Sequence, residues 1–216
     1  MADNLAAALR LMLVTDDALV TGRDLVALAR AAERGGVTAV QLRLKRASPR
    51  ELAGAARALV AALRVPVLVN DRPDVAIVAG AAGVHVGPDD LPVALVRRIA
   101  PPGFIVGASV GTVEEAPGAA GADYWGVGPW RGTPTKADAG AALGPEGFAR
   151  MVALAAGVPC VAVGGVRPED VPAVRRAGGA GVAVVSGILG AEDAERAAAD
   201  YRNALLDAAT LRRCSS

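Results

Sequence analysis

The stretch RAGGAGVAVV, residues 176–185, decides the fold, because it joins a helix exit, glycines and a buried strand without a gap. Glycine ends helices by adopting a left-handed backbone, and a short valine-rich run predicts a strand. The same order recurs in RGGVTAV (34–40), GAAGVHV (80–86) and AAGADYW (119–125). This repetition predicts a chain in which successive helices each lead into a strand.

Eight short apolar runs along the chain predict eight strands. They are Leu9–Val14, Thr38–Leu42, Val65–Val69, Val84–Val86, Phe104–Val106, Ala122–Trp125, Val158–Val163 and Gly181–Val185. Segments with helical spacing lie between them. Residues 49–63 place Leu52, Ala56, Leu59 and Leu63 on one face, and residues 168–178 open with proline and two acids.

Eight such units in 216 residues predict an α/β fold, a (β/α)8 TIM barrel, as a single domain over residues 1–216. A doubly wound open sheet is the alternative. That fold normally carries a glycine-rich turn after its first strand, where this chain has VTDD (14–17). The end of the chain, about 207–216, is expected to fray.

Composition excludes several classes of function. A hydrophobic content of 53% excludes disorder as the main state, and a net charge of +1 gives no basic field for nucleic acid or an anionic membrane. No apolar run is long enough to span a bilayer, and the N-terminus does not resemble an export signal. Two separated cysteines, Cys160 and Cys214, fit a cytoplasmic protein. A homo-oligomer stays open.

In a barrel of this kind the chemistry lies at the carboxyl ends of the strands. The second strand leads into Gln41, Arg43 and Lys45, which alternate and therefore share one side. Polar side chains on an inner face are costly unless they meet a ligand or each other. The alternative is a strand end that frays into solvent.

The third and fourth strands are followed by Asn70, Asp71 and Asp90. Such residues often cap helices, and capping is the alternative interpretation here. However, Asp71 and Asp90 follow adjacent strands, so their carboxylates are expected to approach each other. Two carboxylates that would otherwise repel predict a bound Mg²⁺. The single histidine, His85, is interpreted as a packed structural residue.

The remaining strand ends supply hydroxyls, glycines and one lysine. Ser109 follows the fifth strand, and the loop YWGVGPWRGTPTK (124–136) carries Thr133, Thr135 and Lys136. Gly164 and Gly165 follow the seventh strand, and Ser186 and Gly187 the eighth, which suits a backbone phosphate site. Two anion sites, a metal and no evident nucleophile indicate a transferase that acts on a diphosphate.

The chain closely resembles the thiamine-phosphate synthase family of TIM-barrel enzymes. The resemblance rests on VQLRLK, VNDRPDVA, GVHVGPDDLP, GAS, GADYWGVGP with TPTK, AVGGV and GVAVVSGI, in the family's order over about residues 9–190. It implies Mg²⁺-dependent transfer of the pyrimidinylmethyl group from 4-amino-2-methyl-5-hydroxymethylpyrimidine diphosphate to a thiazole phosphate. The products would be thiamine phosphate and pyrophosphate, with CO₂ from a carboxylated thiazole. In the family the C–O bond to pyrophosphate breaks first.

The resemblance also implies residue roles. Gln41, Arg43, Lys45, Asn70, Ser109 and Lys136 would bind the pyrimidine diphosphate, with Lys136, Ser109 and Arg43 as catalytic residues. Asp71 and Asp90 would hold Mg²⁺. The thiazole phosphate would contact Thr133, Thr135, Gly165, Val185 and Ser186.

Three positions depart from the family pattern. Leu44 stands where an acid is usual, and it is expected to point away from the site. Gly111 replaces a frequent histidine. Arg131 and Gly132 replace an aromatic residue followed by proline, which could change the stiffness of the loop.

Three alternative functions fit parts of the sequence. A thiazole tautomerase on the same fold would lack the diphosphate and metal residues and would need a histidine base where Gly111 stands. A non-catalytic barrel that binds phosphorylated metabolites has only the Arg131–Gly132 change in its favour. A barrel enzyme of another sugar-phosphate pathway would leave the carboxylate pair and TPTK unexplained.

Overall fold

The computed structural model describes residues 2–132 and 140–213, and its strands close into one parallel barrel in the order β1 to β8. The eight strands are Leu11–Val14 (β1), Ala39–Leu42 (β2), Val67–Asn70 (β3), Gly83–Val86 (β4), Ile105–Val110 (β5), Tyr124–Val127 (β6), Cys160–Val163 (β7) and Gly181–Val184 (β8). The closing pair aligns Leu11 with Val182, parallel to each other. The predicted TIM barrel is confirmed, and the open sheet is excluded.

Helices surround the barrel. Among the described residues they are Ala2–Ala8 (α1), Asp17–Val20 (α2), Leu25–Gly35 (α3), Pro49–Ala62 (α4), Pro73–Ala79 (α5), Val93–Ile99 (α6), Gly144–Leu154 (α7), Val171–Arg176 (α8), Ser186–Leu189 (α9) and Ala194–Arg213 (α10). In this described part, no helix is long and apolar enough to cross a membrane.

Local sequence explains where helices begin and which face they bury. Ser48 and Glu51 form a reciprocal capping box around Pro49, which fits the first turn of a helix. Leu52, Ala56 and Leu59 of α4 are buried, as their spacing predicts. Helix α4 therefore packs its apolar stripe against the barrel and leaves its charged face outside.

Two connections among the described residues contain a 3₁₀ turn. Between β5 and β6 the chain forms only a 3₁₀ turn, Ala116–Ala119, because Pro117 and Gly118 disfavour a longer helix. A second 3₁₀ turn, Pro168–Asp170, leads into α8. At the other end of the chain α10 continues through Arg213, so the backbone of 207–213 is helical, while fraying of the tail stays a prediction.

The sheet separates two apolar layers. Its outer face packs on the helices through residues such as Val40, Leu42 and Val69, and Leu44 joins this layer, as expected for a residue that points away from the mouth. The barrel interior holds Met12, Leu68, Tyr124 and Val161 among others. Side chains fill the lower interior and leave a cavity at the carboxyl ends of the strands.

Candidate active site

A cavity of about 560 Å³ opens at the carboxyl ends of the strands. Volumes of this size are typical of small-molecule sites. Ten of the predicted site residues line it: Gln41, Arg43, Lys45, Asn70, Asp71, Asp90, Ser109, Gly165, Val185 and Ser186. The other three, Thr133, Thr135 and Lys136, lie outside the described residues, so their roles stay predictions.

The lining divides into two halves with different chemistry. We call the residues at the ends of β2, β3 and β4 the carboxylate half: Gln41, Arg43, Lys45, Asn70, Asp71 and Asp90. We call the residues after β7 and β8 the glycine half: Gly164, Gly165, Val185 and Ser186. The first half presents charged side chains, whereas the second presents mainly backbone.

The segment after β1 holds the cations of the carboxylate half in place. The Thr15 hydroxyl accepts a hydrogen bond from the Arg43 N–H (2.7 Å) and donates to the Arg43 carbonyl (3.1 Å). Asp16 faces the Arg43 guanidinium at 3.6 Å, and Asp17 accepts from the Lys45 N–H at 2.8 Å. The alternative interpretation, a strand end that frays into solvent, is not supported, because the backbone here is hydrogen-bonded to the segment after β1.

The sequence analysis did not identify Thr15, Asp16 and Asp17 as residues that support the site. It used VTDD only to argue against a dinucleotide fold, although the same rule about strand ends applies to β1. The Asp16 carboxylate also accepts from the N–H groups of Ala18 and Leu19 and so caps α2. A capping residue and a site-supporting residue can therefore be the same side chain.

Asp71 and Asp90 approach each other as their strand positions predict. Their carboxyls are in hydrogen-bond contact, and the Lys45 ammonium lies 2.5 Å from the Asp71 carboxylate. Burial and the hydrogen bond with Asp90 raise the pKa of Asp71 to about 6, against the opposing effect of Lys45. Burial also tends to raise the pKa of Asp90, but hydrogen bonds from Asp71 and the Gly87 N–H outweigh it, so that pKa is lowered.

The capping interpretation of these two carboxylates is wrong. Helix α5 starts after Arg72 and helix α6 after Pro92, and neither start has a side-chain cap. Asp71 itself adopts a left-handed backbone, with φ of 64°, which turns its side chain into the mouth. Asp90 instead accepts from the Gly87 N–H at 2.8 Å and closes its own turn.

The donor set suits a magnesium ion. Two adjacent carboxylates are hard oxygen ligands, and Mg²⁺ usually takes one or two of them while keeping waters and substrate phosphates. No group of three or more histidine, cysteine or acidic side chains that could hold a metal occurs among the described residues. The raised pKa of Asp71 also indicates that this pair gains from a neutralising cation.

The glycine half adopts a backbone that side chains disfavour. Gly164 and Gly165 have φ values of 88° and 65°. A Cβ at Gly165 would lie 3.0 Å from the Cβ of Arg131, so the loop after β6 sits directly against this turn. The positions predicted to contact a phosphate thus lie where the backbone, rather than a side chain, borders the cavity.

Arg131, one of the departures from the family pattern, ties two loops together. Its guanidinium forms a bidentate salt bridge with the Asp170 carboxylate, in which Nε lies 3.0 Å from Oδ2. The backbone N–H of Arg131 donates to the Gly164 carbonyl. Asp170 is buried and also accepts from the Arg167 N–H at 2.9 Å. Burial alone tends to raise the pKa of Asp170, but the Arg131 hydrogen bond outweighs it and lowers that pKa.

His85 lies on the cavity wall and not only in the core. Its Nδ1 is 2.9 Å from the Tyr124 hydroxyl and its Nε2 is 2.9 Å from the Ser109 hydroxyl. Both His85 and Tyr124 line the same cavity as the predicted residues. Sequence reasoning treated His85 as structural, because a lone histidine gives no sign of the strands that surround it.

Fold and cavity together define a TIM-barrel protein with a polar site at the carboxyl end of its strands, the position of the active site in enzymes of this fold. Comparison with known proteins gives the particular family. The family model described as thiamine monophosphate synthase matches residues 11–188. The chain belongs to that family, whose members are transferases of thiamine biosynthesis.

Individual relatives agree with the family model. The chain is 48% identical to a thiamine-phosphate synthase of Azorhizobium caulinodans, over 88% of this chain and 92% of that protein. It is 44% identical to one of Methanoculleus marisnigri, over 89% and 93% of the two chains. Among solved structures, thiamine phosphate pyrophosphorylase from Pyrococcus furiosus superposes with a TM-score of 0.84 at 35% identity, over 94% and 98% of the chains.

Proposed function

We propose that the chain transfers the pyrimidinylmethyl group of the pyrimidine diphosphate to the nitrogen of a thiazole phosphate, with release of pyrophosphate. Thiazole and carboxythiazole phosphates are both acceptors in this proposal. Support comes from the shared family and from one observation above all: a carboxylate pair flanked by Lys45 and Arg43 faces a glycine turn across a single cavity. A metal-bound diphosphate and a separate monophosphate need two different anion sites, and the two sides of this cavity provide them.

The carboxylate half would bind the diphosphate. Arg43 and Lys45 carry positive charge toward the cavity, and the backing by Thr15, Asp16 and Asp17 fixes where that charge lies. Preorganised charge at the leaving group is the largest contribution that a site without a nucleophile can make. Mg²⁺, held by Asp71 and Asp90, would supply further charge neutralisation of the departing pyrophosphate.

The glycine half would bind the acceptor. Gly165, Val185 and Ser186 border the cavity opposite the carboxylate pair, so a phosphate held there would leave the thiazole ring between the two halves. Holding both reactants in one cavity turns a reaction between two molecules into one step within a complex. Thr133, Thr135 and Lys136 would complete the contacts from the loop after β6.

The proposal also includes Mg²⁺ as the cofactor, small molecules as the partners and the cytoplasm as the location. The tautomerase alternative has little support at the described residues. Gly111 itself has no side chain that could replace the histidine base, and its N–H donates to the Glu115 carboxylate at 2.6 Å.

The test is pyrophosphate release by purified protein with both substrates and Mg²⁺. Release is expected to require both substrates, to stop with EDTA and to be lost in Asp71→Asn. Asp74→Asn is the matched control, because it removes the same charge three residues away, where the side chain is exposed and outside the cavity. Thiazole phosphate binding without pyrophosphate release would contradict the proposal and favour the tautomerase or the non-catalytic barrel.

A further inference from the structure

A polar layer crosses the barrel interior directly beneath the cavity. Four strands contribute to it: Gln41 from β2, His85 from β4, Ser109 from β5 and Tyr124 from β6. The imidazole of His85 bridges the hydroxyls of Tyr124 and Ser109, at 2.9 Å on each side. Gln41 is 6% exposed, His85 7% and Tyr124 1%, so these groups are almost fully removed from solvent.

Glycines in β5 and β6 leave space for the rings of Tyr124 and His85. A Cβ at Gly107 would lie 2.2 Å from Cζ of Tyr124, and a Cβ at Gly126 would lie 2.9 Å from Cε1 of His85. Glycine inside a strand weakens it and often marks the close approach of another group. Two glycines on adjacent strands therefore make room for one aromatic and one imidazole ring, whose centroids are 5.4 Å apart.

The hydrogen bonds in this layer have a direction. Burial raises the pKa of Tyr124 far above its ordinary value, so the phenol keeps its proton, and the Gln41 hydrogen bond has only a smaller lowering effect. Two acceptors lie within reach of the phenol hydrogen: Nδ1 of His85 at 2.9 Å and the thioether sulfur of Met12 at 4.0 Å, to which the Gln41 amide also donates at 3.7 Å. The imidazole nitrogen is the nearer and the stronger acceptor, because a thioether sulfur accepts only weakly, so the phenol hydrogen is directed to Nδ1 of His85. A neutral imidazole then carries its own proton on Nε2.

The tautomer of His85 determines which hydrogen bonds Ser109 can make. With Nε2–H of His85 donating to its oxygen, the hydroxyl hydrogen of Ser109 is available for an acceptor in the cavity. In the opposite tautomer of His85, that hydrogen would be used on the imidazole. The tautomer of His85 therefore decides whether the Ser109 hydroxyl can donate a hydrogen bond to a ligand.

We propose that Tyr124 and His85 are positioning residues, which act through the Nε2–H tautomer to present Ser109 as a hydrogen-bond donor to the pyrimidine diphosphate. This inference rests on the proposed function for the identity of the ligand. The arrangement itself belongs to the protein without substrate. It assigns a role to a histidine and a tyrosine that line the site without belonging to either half of it.

The tautomer can be measured without any substrate. The chain contains one histidine, so ¹⁵N labelling of histidine in a protein purified without a histidine tag gives one imidazole to observe. The expected spectrum at neutral pH is that of a neutral ring protonated on Nε2. Tyr124→Phe, which keeps the ring but removes the hydroxyl, is expected to shift the population toward the other tautomer. A wild-type ring protonated on Nδ1 would overturn the proposal.

A double-mutant cycle tests whether Tyr124 acts through Ser109. Ser109→Ala and Tyr124→Phe are each expected to lower kcat/KM for the pyrimidine diphosphate by about tenfold, the effect of one hydrogen bond. The double variant is expected to be no slower than Ser109→Ala, with the KM for the thiazole phosphate within about twofold of wild type. Effects that multiply would indicate a purely structural contribution and would overturn the proposal.

A conservative change at His85 gives a further readout. Glutamine can place an N–H near the position of Nε2, whereas asparagine reaches only the position of Nδ1. His85→Gln is therefore expected to retain more activity than His85→Asn, and the reverse order would contradict the proposal. If wild-type protein released no pyrophosphate, the proposed function would fail, while the tautomer measurement would still decide the arrangement of the layer.

Discussion

The carboxylate half and the glycine half line one cavity but depend on different parts of the chain. In the carboxylate half, charged side chains such as Asp71 and Lys45 face the cavity, and the segment after β1 fixes the backbone of Lys45. In the glycine half, Gly164 and Gly165 approach with backbone in a left-handed conformation. Binding in the carboxylate half should therefore be weakened by removal of a charged group. Binding in the glycine half should be weakened by addition of a single Cβ atom.

The difference matters for how each half binds an anion. A side-chain site changes with pH and with metal, because carboxylates take up protons and compete with cations. A backbone site carries no titratable group of its own, so its binding should depend on geometry alone. The predictions below begin with the largest expected effect.

Asp71→Asn should cause the largest loss. Asparagine tolerates the left-handed backbone at this position, so the fold should persist. Removing one ligand of the metal is expected to lower kcat/KM by on the order of 100-fold or more. Steady-state pyrophosphate release with Asp74→Asn as control measures it. A variant within tenfold of wild type would show that Asp71 does not hold the metal.

Gly165→Ala should damage the opposite half. The new Cβ would be strained at a φ of 65° and would lie 3.0 Å from the Cβ of Arg131. The KM for the thiazole phosphate is expected to rise about tenfold while the KM for the pyrimidine diphosphate stays near wild type, a change of about 1.4 kcal/mol in binding.

The control for this variant is Gly80→Ala. Gly80 has a similar φ of 71° at the end of α5, with nothing within 4 Å of an added Cβ. Gly80→Ala should therefore cost stability without changing either KM. Equal kinetic effects of the two variants would mean that only backbone strain matters.

Lowering the pH should weaken the carboxylate half alone. The pKa of Asp71 is about 6 in the protein without metal, so its carboxyl takes up a proton as the pH falls through that value. The apparent Kd for Mg²⁺ is expected to rise about tenfold per pH unit below about 6. Titration calorimetry between pH 5 and 8 measures it, and a Kd that stays constant would contradict the assignment.

The same shift predicts how stability depends on pH. A carboxyl with a raised pKa stabilises the fold below 3.8, its ordinary value, and that contribution is lost as the pH rises through about 6. In metal-free protein, the unfolding free energy of wild type should therefore fall relative to that of Asp71→Asn over this range. Urea titrations at several pH values measure the difference.

Asp170→Ala should give the smallest effect. It removes the acceptor for Arg131 and for the Arg167 N–H, which together join the loops after β6 and β7. The free energy of unfolding is expected to fall by about 1–2 kcal/mol, with a twofold to threefold rise in the KM for the thiazole phosphate. Glu169→Ala, at an exposed neighbour, is the control in urea unfolding.

Much of the fold follows from the sequence, because the strands coincide with short apolar runs, several of which follow glycine. Each of the eight predicted runs overlaps an observed strand. The boundaries were less predictable. Strand β5 extends to Val110, four residues beyond its predicted end, since its small residues Gly107 and Ala108 interrupt the apolar pattern without breaking the ladder.

The carboxylate half was predictable for a different reason. Its residues lie at the ends of β2, β3 and β4 or within four residues beyond them, so their place in the chain gives their place at the mouth of the barrel. The Arg131–Asp170 contact was not predictable, because it joins residues 39 positions apart and depends on how two loops meet. The role of His85 was hidden too, since the space for its ring comes from Gly126 on another strand.

The most direct test of the division is to measure each substrate's binding to each variant by titration calorimetry. Asp71→Asn should lose Mg²⁺-dependent binding of the pyrimidine diphosphate and keep thiazole phosphate binding within about twofold of wild type. Gly165→Ala should show the reverse pattern. If either variant weakened both substrates equally, or if Asp71→Asn weakened only the thiazole phosphate, the assignment of the two halves would be wrong.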